Sequence, residues 1–162
     1  MQIDVARAKK VKSILVTLPR PENDKSPYFA LAEKYNLKLD FRGFIHVEGV
    51  PAKEIRKERI NFAEHTAVIF TSKNAVDHFF SVCEEMRFEV SAELKYFCIS
   101  EAIALYLQKY IQYRKRKVFA AENNRFEDLL PAMHRRPHEK YLMVMSDVHN
   151  EQTLNMFSEN NI

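Results

Sequence analysis

The chain has 162 residues, of which 46% are hydrophobic and 29% charged, and its formal net charge is +3. This length suits one domain, or one domain with part of another, and the composition is ordinary for a globular protein. No apolar run approaches the roughly 20 residues that a membrane-spanning helix needs. Residues 1–10 lack the apolar core of a secretory signal. We therefore expect a cytoplasmic protein with no membrane partner.

The first part of the chain predicts a strand followed by a helix. Residues 12–17 form a short β-branched run that ends at a proline-containing loop, which is typical of a buried strand. Ser26 and Pro27 then predict a helix through Asn36, because serine favours the cap position and proline favours the first turn.

Residues 37–47 largely alternate apolar with polar side chains. This period of two predicts a long, half-exposed strand. Gly43 and Gly49, the only glycines in the sequence, fall in or beside this stretch. We interpret it as a crossing point between two bodies.

After a charged helical segment at residues 52–62, strands and helices alternate to the end of the chain. We expect strands at residues 67–70, 96–99, 117–119 and 141–145, and helices at about 73–86, 101–111, 125–134 and 149–159. This alternation predicts an α/β fold, a flavodoxin- or Rossmann-like parallel sheet with helices on both faces. Pro131 should shorten or bend its helix near Leu130, because proline breaks a helix interior.

The helix predicted at residues 73–86 has the clearest apolar stripe, which is typical of a core-facing helix and not of a cofactor site. Cys83 belongs to this stripe, and Cys98 belongs to a predicted strand. The two cysteines form no C-x-x-C motif, so we expect small buried side chains and no disulfide or metal pair.

Several strong functional motifs are missing from the sequence. There is no G-x-G-x-x-G, G-x-x-x-x-G-K-[ST] or G-x-S-x-G, which argues against a nucleotide-binding Rossmann domain and a nucleophile-elbow hydrolase. The six histidines do not cluster as metal ligands. The basic run at residues 114–117 lacks interleaved aromatic residues, so we expect a solvated helix end and no nucleic-acid partner.

Small polar residues follow most of the predicted strands. In an open parallel sheet, ligands bind beyond the carboxyl ends of the strands, where helix N-termini lie. Two interpretations stay open: these residues cap helices, as Asn124 with Glu127 would in a capping box, or they bind an anion. The candidates in these loops are Thr17, Thr71, Ser72, Lys73, Asn74, Ser100, Asn123, Asn124 and Ser146.

These features, in this order, resemble the uroporphyrinogen-III synthase family. Its members open with a strand of the type I-L-V-T before a proline-containing loop, here Ile14-Leu-Val-Thr17. The most specific match is Val68-Ile-Phe-Thr-Ser-Lys-Asn-Ala-Val76, which is similar to the family's I-F-T-S-x-x-A-V segment. Where the family often has V-G-x-x-T-A, this chain has Ser100 in place of the glycine and Ile103 in place of the threonine.

The resemblance implies a hinged architecture of two α/β lobes joined by crossing strands. We then expect residues 1–36 to be the strand–helix portion of the first lobe and residues 37–49 to be the crossing strand. Residues 50–162 should form a complete second lobe. The remainder of the first lobe would be absent, together with a tyrosine that the family places just after the crossing.

The resemblance also implies an activity. The family consists of lyases that cyclise hydroxymethylbilane with loss of water and inversion of the last pyrrole ring, giving uroporphyrinogen III. We expect a polycarboxylate tetrapyrrole substrate, no cofactor or metal, a monomer, and a 162-residue chain that is inactive alone. The implied substrate-binding residues are Thr17 and Pro19 on one lobe, with Thr71, Ser72, Lys73, Asn74, Ser100, Asn123, Asn124 and Ser146 on the other.

Two other classes of protein fit the sequence less well. One is a non-catalytic α/β module that binds a small anionic ligand. The other is an interaction domain of receiver-like fold, which normally carries an acidic cluster at the ends of its strands. Thr17 and Thr71 stand where those acids would be, so this class ranks last.

Overall fold

The computed structural model describes residues 11–23, 25–147, 151–160 and 162. The chain divides into two units, Met1–Glu48 and Gly49–Ile162, and each is described by itself below. None of the helices in the described residues is long and apolar enough to cross a membrane.

The first unit is a small β-α-β arrangement, built from strand β1 (Ser13–Val16), helix α1 (Pro27–Tyr35) and strand β2 (Lys38–Phe41). The strands pair in parallel, with Ser13 opposite Lys38 and Val16 opposite Phe41. Helix α1 packs on β2 through the Phe29 ring, whose centre lies 5.8 Å from that of Phe41. Ser26 occupies the predicted cap position, but its side chain makes no capping hydrogen bond.

The long strand predicted at residues 37–47 is wrong beyond Phe41, where β2 ends. The Arg42 N–H still donates to the Val16 carbonyl at 2.9 Å, and the Phe44 N–H donates to the Thr17 carbonyl at 3.3 Å. Strand β1 then passes into its proline-containing loop, so no neighbouring strand among the described residues continues the ladder. A strand needs a paired backbone, which the alternation of side chains does not supply. Ile45 is 82% exposed as a result.

The second unit begins at Gly49, which packs closely on His78 of helix α3 (Lys73–Glu85). A Cβ at this position would lie 2.6 Å from Nδ1 of His78, so a larger residue would force the His78 ring to move. Helix α2 (Ala52–Lys57) follows and is shorter than the predicted segment at 52–62, because Arg59 adopts a left-handed backbone with φ 54°.

The rest of the second unit alternates strictly between strands and helices, as predicted. The elements are β3 (Ala67–Phe70), α3 (Lys73–Glu85), β4 (Lys95–Cys98), α4 (Glu101–Tyr106), β5 (Val118–Ala120), α5 (Leu130–His134), β6 (Tyr141–Val144) and α6 (Glu151–Glu159). The four strands form one parallel sheet in the order β5-β4-β3-β6. This order matches the first four strands of the Rossmann arrangement, 3-2-1-4.

The core of the second unit lies on both faces of the sheet, because successive side chains of a strand point to opposite sides. Alternate strand residues pack under α3 and α4, in a cluster that includes Val68, Phe70, Tyr96, Val76, Phe79 and Leu107. The others pack under α5 and α6, in a cluster that includes Ala67, Ile69, Phe97, Leu129, Met133 and Phe157. The predicted α/β fold with helices on both faces is therefore confirmed.

The segment before β6 shows one correct and one wrong prediction. The helix predicted at 125–134 is broken, as Pro131 indicated, into a 3-10 turn at Phe126–Asp128 and the short helix α5. The predicted capping box of Asn124 is wrong, because Asn124 has a left-handed backbone with φ 57°. The Asp128 carboxylate instead accepts a hydrogen bond of 2.8 Å from the Asn123 N–H.

Candidate functional site

The order of the strands places a reversal of direction between β3 and β6. The chain adds β4 and then β5 on one side of β3 and later returns to add β6 on its other side. Helices α3 and α6, which follow these two strands, pack on opposite faces of the sheet. In open α/β sheets such a reversal leaves a crevice outside the carboxyl ends of the strands, where ligands bind. The crevice here is flanked by residues 71–74 and 145–147.

The parallel register brings the four loops that follow β3, β4, β5 and β6 to this same edge. Phe70 lies opposite Cys98 and Val144, and Cys98 lies opposite Ala120, so the strands end level with one another. Thr71 and Ser100 are half-buried, whereas the other candidates at this edge are exposed. The eight candidates that share this edge are Thr71, Ser72, Lys73, Asn74, Ser100, Asn123, Asn124 and Ser146.

The two remaining candidates belong to the first unit. Thr17 and Pro19 follow the carboxyl end of β1, and both are exposed. Pro19 lies beside Gly43, where an added Cβ would lie 3.6 Å from the Pro19 Cγ. The first unit thus also presents its candidates at the carboxyl end of a parallel pair of strands.

Two serine side chains at the edge cap the helices that follow them. The Ser72 hydroxyl accepts a hydrogen bond of 3.0 Å from the Ala75 N–H, and the Ser100 hydroxyl accepts one of 3.4 Å from the Ile103 N–H. A capping bond uses a lone pair of the hydroxyl oxygen and not the hydroxyl proton. Capping and donation to an anion are therefore compatible in the same side chain.

The positive side-chain charge of this edge comes from one residue. Across residues 71–74, 99–101, 121–124 and 145–147, Lys73 is the only lysine or arginine, and the acidic residues are Glu101, Glu122 and Asp147. The side chains of these loops therefore carry one positive and three negative charges, so binding of an anion here depends on neutral donors, helix N-termini and the Lys73 ammonium. The edge is not a general basic patch.

A polar cluster near Lys73 was not predicted from the sequence. Asp77 of helix α3 accepts hydrogen bonds from the hydroxyl of Tyr106 at 2.9 Å, from the hydroxyl of Tyr110 at 2.5 Å and from Nζ of Lys109 at 3.0 Å. Partial burial raises the pKa of Asp77. The hydrogen bonds, that from Tyr110 foremost, lower the pKa by more than burial raises it, so the pKa lies below its usual value. The Lys73 ammonium lies 5.3 Å from the centre of the Tyr106 ring.

A usable signal for this cluster existed in the sequence. Tyr106, Lys109 and Tyr110 follow the i, i+3, i+4 spacing that places side chains on one face of a helix. Asp77 is the only acidic residue in the first half of the predicted helix at 73–86. The tertiary contact between the two helices, however, could not be read from either pattern alone.

A groove of about 700 Å³ lies away from this edge, beside the carboxyl-terminal part of α3. Its lining includes Phe80, Phe88, Val90, Ile111 and Lys117, and no residue of the four carboxyl-edge loops contributes to it. We therefore place the candidate site at the loops, where the polar groups and helix N-termini converge, and not in this groove.

The two cysteines are buried free thiols, as predicted. Burial raises the pKa of Cys83 to about 11 and that of Cys98 to about 12, so both stay protonated near neutral pH. A protonated, buried thiol is a poor nucleophile and a poor metal ligand. Among the described residues, no group of three or more His, Cys, Asp or Glu side chains is arranged to hold a metal ion.

Comparison with known proteins bears directly on this fold. No curated protein matches the chain. The family model described as "Uroporphyrinogen-III synthase HemD" matches residues 28–162, which is most of the sequence and includes the whole second unit. The match also covers the segment at 68–76 that carries the strongest resemblance. The chain therefore belongs to the uroporphyrinogen-III synthase family, whose members are enzymes of tetrapyrrole synthesis.

Proposed function

We propose that the protein acts as a uroporphyrinogen-III synthase, a lyase that cyclises hydroxymethylbilane to uroporphyrinogen III. Family membership supports the reaction class. The observation that supports the location of the site is the reversal of strand order between β3 and β6, beside residues 71–74. The substrate is a linear tetrapyrrole that carries acetate and propionate groups, so its recognition requires many contacts to carboxylates.

The reaction places modest chemical demands on the protein and strict geometric ones. The terminal hydroxyl leaves as water together with a hydrogen of the last pyrrole, and a new carbon–carbon bond closes the ring. Inversion of that pyrrole also requires its bond to the neighbouring methylene bridge to break and to re-form at its other α-carbon. The substrate also cyclises without an enzyme, but to the type I isomer. The protein must therefore hold the chain in the orientation that leads to inversion. A site of this kind needs many fixed anion contacts and no dedicated nucleophile.

The carboxyl edge of the second unit offers such contacts. The N-terminus of α3 presents free backbone N–H groups and a partial positive charge, both of which favour a carboxylate. The Ser72 hydroxyl and the Asn74 amide add neutral donors, and Lys73 adds a charge. Ser100, Asn123, Asn124 and Ser146 are further donors along the edge, and we propose that Thr17 and Pro19 contact the substrate from the first unit.

We further propose that the 162-residue chain is inactive alone. Its first unit supplies only two paired strands and one helix in the described residues, with exposed apolar side chains such as Leu15, Leu18 and Leu31. A unit of this size offers the substrate few fixed contacts. Because the main task of the enzyme is to orient the substrate, we expect no activity from this chain alone.

The test is to supply hydroxymethylbilane to two proteins and to separate the product isomers chromatographically. One protein is the 162-residue chain, and the other is expressed from the natural gene with whatever sequence follows Ile162. We expect type III product from the second protein and only type I from the first.

The possible results separate the two proposals. Type I alone from both proteins, as in the enzyme-free control, would refute the synthase assignment. Saturable binding of the substrate without isomer selectivity would favour a non-catalytic module that binds anions. Type III product from the 162-residue chain would refute its proposed inactivity and leave the assignment in place.

A further inference from the structure

We propose that Asp77 and Tyr106 are positioning residues that hold the Lys73 ammonium at the carboxyl edge of the sheet, where it contacts a carboxylate of the substrate. This inference rests on the proposed function, because the carboxylate belongs to the proposed tetrapyrrole. The Tyr106 ring supports the lysine side chain, and Asp77 fixes that ring.

The first step is the contact between Lys73 and Tyr106. The ammonium lies 5.3 Å from the ring centre, within the distance at which a cation is attracted to an aromatic face. No carboxylate among the described residues forms an ion pair with Lys73, so its charge is not neutralised there. Lysine otherwise moves freely about four torsions, and ordering such a side chain on binding costs affinity. A lysine held by a ring loses less freedom when the ligand arrives.

The second step is the support of the Tyr106 ring. Its hydroxyl donates to the Asp77 carboxylate, whose two oxygens lie 2.9 and 3.0 Å away. Lys109 donates to the same carboxylate at 3.0 Å and lies 5.4 Å from the Tyr106 ring centre. The Tyr106 ring is therefore held through its hydroxyl, and the Lys109 ammonium is a second cation close to it.

The third step is the anchoring of Asp77 itself. Tyr110 donates to its carboxylate, and the Tyr110 ring stacks on Phe80 with centres 4.5 Å apart and planes 5° from parallel. Phe80 in turn meets the buried Phe79 edge to face at 5.3 Å. The cluster is thus tied to the hydrophobic core by ring contacts that an isolated surface ion pair lacks.

A first experiment detects the position of Lys73 directly in the 162-residue chain. Protons above the face of an aromatic ring resonate upfield, and the Lys73 ammonium lies over the Tyr106 ring, so the ε-methylene protons of Lys73 should resonate upfield of those of the exposed Lys53. We expect Tyr106→Leu to abolish this shift, Asp77→Ala to reduce it, and Tyr106→Phe, which keeps the ring, to retain part of it. An unshifted Lys73 signal in the unmodified chain would overturn the inference whatever the outcome of the isomer assay.

A second experiment measures KM and kcat for hydroxymethylbilane in the protein expressed from the natural gene. One lost charge contact at an exposed edge corresponds to about a fivefold change in affinity. We therefore expect Lys73→Gln and Tyr106→Leu each to raise KM about fivefold with little change in kcat. Because Tyr106 acts through Lys73, the double variant should lose no more than either single variant. Lys53→Gln, on helix α2, serves as the matched control with unchanged KM.

The outcomes of the kinetic test are separable from failure of the proposed function. Absence of type III product from the unmodified protein would refute the proposed function and, with it, the carboxylate contact of Lys73. Normal type III production with an unchanged KM in Tyr106→Leu would overturn the positioning role alone. Additive losses in the double variant would also overturn it, because they would show that Tyr106 acts independently of Lys73. Circular dichroism of each variant ensures that a changed KM does not reflect unfolding.

Discussion

Ser72 illustrates how one side chain can serve stability and binding at once. Its oxygen accepts from the Ala75 N–H, one of the donors that the first turn of α3 leaves without an intrahelical partner. The hydroxyl proton is not used by this bond, and it can rotate about the C–O bond to donate to an anion. The choice between a structural and a functional interpretation, which the sequence left open, is therefore not exclusive at this residue.

Replacement of Ser72 by alanine should lower the free energy of unfolding by about 1 kcal/mol, because it removes the cap of the longest helix described. Urea denaturation of the 162-residue chain measures this change. Ser81→Ala is the matched control on the same helix, since the Ser81 hydroxyl is exposed and makes only a 3.5 Å contact with Glu85. Equal stabilities of the two variants would show that the cap contributes nothing.

Helix α4 shows how position along an element decides the importance of a leucine. Leu107 lies in the 3-10 turn that extends the helix and is fully buried, whereas Leu105, two residues earlier, is 50% exposed. Residues two apart on a helix point to nearly opposite sides, so a helix that packs on a sheet turns one of them to the core and the other to solvent.

We expect Leu107→Ala to lower the free energy of unfolding by about 2–5 kcal/mol, because it opens a cavity in a closely packed core. Leu105→Ala, which removes the same atoms from the surface, should change it by less than about 0.5 kcal/mol. Parallel urea titrations of both variants test the difference. A small effect at Leu107 would mean that the surrounding core closes around the missing side chain.

At the level of elements, the sequence predicted what depends on local pattern. The apolar stripe of α3 and the break at Pro131 are both local, and both are confirmed. The strand at residues 42–47 failed because pairing depends on a partner elsewhere in the chain. The Asn124 cap failed because Asp128 supplies the acceptor and the backbone of Asn124 turns left-handed.

At the level of the whole molecule, the candidate site depends on how the strands and helices are arranged in three dimensions. The loop residues could be predicted because they follow strands, and parallel strands end at a common edge. The reversal between β3 and β6 could not, because strand order depends on which face each connecting helix covers. The contact of Asp77 with Tyr106 and Tyr110 escaped prediction for the same reason, since it joins two helices that are separate in sequence.

The two units differ sharply in how much apolar surface they bury. In the described part of the first unit only Val16 and Ser26 are buried, whereas the second unit has a core on each face of its sheet. A two-stranded arrangement with so little burial is marginal in water. The second unit therefore buries enough apolar surface to fold alone, whereas the described part of the first unit does not.

We expect a fragment of residues 49–162 to unfold cooperatively in urea, with a midpoint close to that of the 162-residue chain. A peptide of residues 1–48 should show no cooperative transition by circular dichroism. The fragment must keep Gly49, because a larger residue there would collide with His78. Loss of cooperative unfolding in the fragment would show that the first unit is required for the core of the second.

The position of β3 between β4 and β6 has a consequence for synthesis on the ribosome. Strand β3 can pair with β4 soon after both leave the exit tunnel, but its other edge stays open until Tyr141–Val144 has left the tunnel too. An open, apolar strand edge readily pairs with another chain. Nascent chains are therefore most prone to aggregate between the emergence of Ala67–Phe70 and that of Tyr141–Val144, and slow translation during that interval would prolong the exposure.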